Sequence, residues 1–200
     1  MILTPIPRHR LVSVLDRFES GLDDRDCAEV FRCIRASSPD RADAAEAERH
    51  RLTALALARA FGMPVHSPGK ECLFNWDGAA LNGVTEAYVI LHEIAHFALA
   101  PTERRGLVDF GLGPGPDTLD RMTAESAAIM PLLAREEDEA AASLLGIVWE
   151  ARLDQPALAS FLDQNWLEGL ERSAAAHFTK VLAGLRGRGF LALDPRLMVG

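Results

Sequence analysis

Between Val84 and Ala100 the sequence reads VTEAYVILHEIAHFALA, an apolar run closed by Pro101 that nevertheless holds two histidines and a carboxylate. As a helix it places His92 and His96 one turn apart on the same face, where both imidazoles reach a single metal ion from one side. Glu93 sits beside that position. In the HExxH pattern of metallopeptidases, this glutamate is the general base for a metal-bound water. Tyr88, Val89, Ile90 and Leu91 before the histidines, and Ala95, Phe97, Ala98 and Leu99 among and after them, are apolar enough to bury the helix. Burying such a group without a shared ion is costly. The alternative is a pair of core histidines satisfied by hydrogen bonds, with Glu93 turned to an arginine.

With 200 residues the chain is long enough for one domain with a sizeable core, so residues 1–200 are read as a single domain. Its many alanines and leucines, with few aromatics, predict a mainly α chain. A net charge of −8 with no basic run disfavours nucleic acid as a partner. Cys27, Cys33 and Cys72 are odd in number and lack metal-site spacing, which predicts free thiols. No apolar stretch reaches membrane-spanning length, and the first residues lack the apolar core of a signal peptide; a cytoplasmic protein without a membrane partner is expected.

Helical spacing predicts a short helix over Leu11–Phe18 with Gly21 as its stop. Asp23–Ile34 reads as a second helix or as a helix followed by a short strand, and Asp40–Phe61 as a long, initially charged helix. Glu71–Trp76 is the best strand candidate, beside the metal helix, where an edge could hold an extended peptide or simply serve the core. Residues 102–117, with four glycines and two prolines, form a shaped loop. Asp109 in it either hydrogen-bonds a ligand histidine's second nitrogen, or caps a turn or pairs with Arg104 or Arg105.

Asp117 or Thr118 is a candidate cap for a helix ending at Met130, and Pro131 opens a longer one over Leu132–Leu153. That helix carries the acidic run Glu136–Glu139. Its apolar stripe is Ala141, Leu144, Leu145 and Val148, and four residues before Ala141 lies Glu137. Glu137 therefore falls on the core face and is the expected third ligand, with Glu136 and Glu139 in reserve and Glu125 behind them. A tail helix over Trp166–Gly184 would bury Leu170 and His177, the latter as a core residue rather than a ligand.

The stretch HEIAHFALAPTERRGLVDFG, followed by Pro116, Asp117 and an acidic helix, resembles the elongation factor P hydroxylase family. The matching positions are His92, Glu93, His96, Arg104, Arg105, Asp109, Gly111, Pro116 and Asp117. The close match covers about 30 residues, and HExxH followed by RRxLVDFG is far more specific than HExxH alone. The resemblance implies a cytoplasmic enzyme that hydroxylates a modified lysine of elongation factor P. Its metal would be held by two histidines and a carboxylate, a set suited to Fe(II) and oxygen, with Zn the other candidate. The fold expected for the chain is mainly α (α+β), zincin-like, with a short strand or small sheet beside the HExxH helix. Glu137 takes the third ligand position, Glu93 orients ligands or handles protons, and Arg104, Arg105, Asp109 and Tyr88 shape the substrate mouth or support the ligands. The chain departs from the family in the loop Leu112–Gly115, where the family is aromatic. A small zinc metallopeptidase using the same ligands, with Glu93 as base, is the competing expectation, although no further histidine follows at the spacing of the HExxHxxGxxH type. A non-catalytic binding module is the third.

Overall fold

The computed structural model describes residues 6–116, 118–168 and 173–199. Every regular element among them is helical: α1 (Arg8–Ser20), α2 (Arg25–Arg35), α3 (Ala44–Ala60), α4 (Ala87–Leu99), α5 (Thr102–Arg105), α6 (Arg121–Ala127), α7 (Leu132–Arg152), α8 (Ala157–Asp163) and α9 (Ala174–Gly187), with short 3-10 turns at Val108–Gly111, Phe190–Ala192 and Pro195–Leu197. The mainly α expectation is met. Asp24, Asp43, Asp120 and Ser173 cap α2, α3, α6 and α9 by accepting a backbone N–H of the first turn. Asp117 and Leu170 lie outside the described residues. The tail helix starts at Ala174 rather than Trp166, because Ser173 caps it there.

The expected strand at Glu71–Trp76, and with it any small sheet, is absent among the described residues; only isolated bridges join Leu81 to Val65 and to Trp76. The chain turns too soon for a ladder. Gly78 takes a left-handed φ of 88° and approaches Gly106 so closely that a Cβ would stand 2.7 Å from its carbonyl oxygen. Asp77 Oδ1 accepts from the N–H groups of Ala79 and Ala80, and the Trp76 indole donates to Arg105 O at 2.8 Å. The polar groups of this segment are thus satisfied by turn and loop partners.

α4 and α7 form the centre. They pack along one another, α3 also lies on α4, and α7 further touches α2, α8 and α9. One apolar cluster runs from Leu15 to Leu185 and includes the nest Phe18, Phe31, Phe161, Phe178 and Trp166. No helix among the described residues is long and apolar enough to cross a membrane.

Candidate metal centre

Burial of Val89, Ile90, Leu91, Ile94 and Ala95 fixes the rotation of α4, leaving His92 and His96 side by side at its face towards α7. Their Nε2 atoms stand 3.0 Å apart. α7 brings Glu139 Oε2 to 3.4 Å from each of them. With ligand bonds of about 2.1 Å, donor atoms stand about 3.0 Å apart around an octahedral ion and about 3.4 Å apart around a tetrahedral one. The three-atom triangle therefore fits a single ion, and it is the one such group of ligating side chains found among the described residues.

Glycine sets the spacing between the two helices. A Cβ at Gly146 would lie 3.3 Å from His92 N and 3.4 Å from its Cα, so α7 touches α4 at the backbone. Two turns before Gly146, on the same face, lies Glu139. Glu137 points elsewhere: its side chain is 71% exposed and pairs with Lys180 of α9 at 2.9 Å. The expectation that Glu137 is the third ligand is corrected to Glu139, formerly a reserve, while Glu136 and Glu125 are exposed. The stripe misled because the second half of α7 is buried all round, from Ala141 to Glu150 apart from Ser143, between α2, α4, α8 and α9. Burial alone could not say which face meets α4. Gly146 was the available signal, since a glycine inside an apolar helix marks a close approach.

Asp138, which the sequence reading left unassigned, supports His96. Its Oδ2 is 3.1 Å from His96 Nδ1, and its Oδ1 accepts from Arg104 Nη2 at 2.7 Å. A proton held on Nδ1 leaves the Nε2 lone pair free for an ion shared with the other two ligands. Arg104 is buried and also donates to Phe110 O, so it joins α7 to the loop after α5. Phe110 stacks on both His96 and Trp76, with centroids 5.5 Å apart in each pair. Arg105 is not part of the cavity wall: its guanidinium lies over Phe97 and its Nε donates to Ala100 O. The expected arginine pair thus separates into one buried clamp and one surface brace.

Asp109, Phe110 and Gly111 are consecutive left-handed residues, with φ of 45°, 54° and 71°. Strain of this kind in non-glycine residues persists only where surroundings enforce it. Asp109 N donates to Trp76 O and Asp109 Oδ2 accepts from Thr118 at 2.9 Å. The histidine's carboxylate partner is thus Asp138, and Asp109 instead faces the cavity. At Gly111 a Cβ would meet Leu107 and Ile129 at about 3 Å, which only glycine avoids.

The cavity has a volume of about 260 Å³ and is lined by the two histidines, Glu93, Glu139, Tyr88, Asp109, Thr118 and Gln164 among others. Burial works against the charged form of His96, but Asp138 and Glu139 outweigh it and push its pKa up to about 10. Burial, with His96 close by, pushes His92 down. Glu139 is held well below the usual carboxylate range, since the two histidines overcome its burial. Burial raises Asp109, opposed by the Thr118 hydroxyl. Tyr88 is backed from outside by Arg41, whose guanidinium sits 3.9 Å from the ring centroid. His177 is half-buried and stacks on Trp166, and it is not part of the ligand group or the cavity lining. Set against protein-family models, curated proteins and solved structures, the chain matches none of them.

Proposed function

We propose that the chain is a cytoplasmic, metal-dependent hydroxylase acting on a modified lysine side chain of elongation factor P or of a related protein, with Fe(II) as its metal and Zn as the competing ion. The observation that carries this reading is the His92, His96, Glu139 triangle at a cavity wall, a two-histidine, one-carboxylate set with room for further ligands. The resemblance of residues 92–117 to that family adds the substrate. Bound at the triangle, Fe(II) would supply activation of molecular oxygen, with two electrons from an external reductant.

The chain's own residues have separable parts in this reading. Asp138, clamped by Arg104, holds a proton on His96 Nδ1 and so orients the ring. Glu93, buried at the cavity wall, is the group placed to accept or return a proton. Phe110, Leu112 and Val89 exclude water around it. Asp109 and Glu93 supply negative charge for a cationic lysyl group.

A zinc metallopeptidase would use the same ligands with Glu93 as base. Among the described residues no strand flanks α4, so the edge on which an extended peptide pairs is not offered. The test is anaerobic reconstitution with Fe(II) or Zn(II), then exposure to oxygen with lysylated elongation factor P. Gain of one oxygen atom on the factor, with iron alone, is expected by mass spectrometry. Cleavage of a peptide library with zinc, and no oxidation with iron, would move the protein to the peptidases.

A further inference from the structure

Exposed apolar side chains gather in one stretch of this molecule. Leu119, Met122, Ile129, Leu132 and Leu133 are each 63% to 82% exposed. Scattered apolar residues on a surface need no explanation, but a group of them does. Leu73, 45% exposed, adjoins the group because its carbonyl accepts from Leu119 N at 3.0 Å. The stretch borders the cavity: Pro116 and Thr118 line it just before Leu119, and Ile129 N donates to Gly111 O, tying Ile129 to the strained turn of the cavity wall.

The geometry points to this apolar rim as the docking surface for a polypeptide that inserts one basic side chain into the cavity, an inference that rests on reading the cavity as the site of a metal enzyme acting on a protein. Charge argues for the inserted group. Glu93 and Asp109, carboxylates not assigned to the ion, line the cavity, and among its described lining residues there is no lysine or arginine. Its volume of about 260 Å³ admits a side chain rather than a folded surface. Charge also argues against the other occupants. Asp120, Glu125 and Glu136 lie in or beside the stretch against Arg121 and Arg135, and Glu137 is paired with Lys180, so the stretch offers no net positive charge to an anionic lipid surface. A second copy would bring the same acidic rim against itself across a two-fold axis.

The test uses the full chain loaded with Zn(II), which permits binding without turnover, and fluorescent peptides with a central lysine between leucine and phenylalanine. Companion peptides carry norleucine for the lysine, or serines for its apolar neighbours. Wild type is expected to prefer the first peptide to both companions. Combining Leu119→Ser, Met122→Ser and Leu133→Ser should weaken it by roughly tenfold or more, with zinc affinity and helical circular dichroism unchanged. The distant exposed pair Val12→Ser and Leu197→Ser should have no effect. Equal binding by the rim variant, no binding of any peptide by wild type, or a wild-type dimer that the rim variant dissolves would each overturn the docking surface. Rim-dependent binding without oxidation by the Fe(II)-loaded chain would keep the surface and refute the hydroxylase.

Discussion

At His96 the two ring nitrogens have different partners, Asp138 at Nδ1 and the His92 and Glu139 atoms at Nε2. Removing the first partner leaves all three ligands in place but frees the ring to rotate and to change tautomer. Asp138→Asn is therefore expected to weaken Zn(II) or Fe(II) binding by roughly 10- to 100-fold, read by calorimetric titration. The neighbouring carboxylates separate the two faces of α7. Glu139→Gln should weaken binding at least as much, whereas Glu137→Gln, which loses only a surface pair with Lys180, should leave it unchanged. A strong effect at Glu137 and none at Glu139 would reject the assigned triangle.

The approach of α7 to α4 at Gly146 decides whether Glu139 reaches the histidines. Gly146→Ala adds a methyl group against the His92 backbone, which cannot rotate away. Overpacking of this kind costs about 1–3 kcal/mol, which exceeds the gain of about 0.5–1 kcal/mol from replacing a helical glycine. A lower melting temperature and weaker metal binding are expected together. Gly184 in α9 has no atom near its missing Cβ, so Gly184→Ala should instead raise the melting temperature. How much was legible in the sequence divides along the same lines. Periodicity and breakers located the helices, because α1, α3 and α4 each bury a face bounded by a cap, glycine or proline, and α7 holds a long apolar run and is opened by Pro131. They found the histidines too, since both ligands share one helix and their spacing is local. The third ligand depends on which neighbour each face of α7 meets, and a helix buried on all sides carries no periodic record of that. The strand at Glu71–Trp76 failed for another reason: its short apolar run is real, but Trp76 and Leu73 are held by Arg105 at the end of α5 and by Leu119, far along the chain, rather than by a partner strand.

Across the whole molecule, the helix that carries Glu139 at the cavity wall also carries an acidic residue into the core. Glu150 is 2% exposed, and burial raises its carboxyl to about 8 against the opposing hydrogen bond of Ser160 and the charge of Arg41. Arg41 spans Ser160 and Asp163 on α8 and covers the Tyr88 ring on α4, so the surroundings of Glu150 join three helices behind the cavity. In the folded chain Glu150 keeps its proton up to about pH 8, whereas in the unfolded chain it ionises near the ordinary value of 4.5. Between those values the native state binds the extra proton, so its contribution to stability is full below about pH 4.5, falls as pH rises, and is lost above about pH 8. The total is on the order of a few kcal/mol. Asp138 and Glu139, whose carboxyls are lowered, act in the opposite direction at acid pH, so the bare profile of the wild type mixes the two. Comparison with Glu150→Gln isolates the buried group, since an amide fills the same space and does not titrate. Urea midpoints measured from about pH 5 to about pH 9 should show the variant gaining steadily on the wild type as pH rises, and becoming the more stable protein at the alkaline end. Parallel profiles would mean that Glu150 is ionised in the core throughout, with Arg41 as its counter-charge.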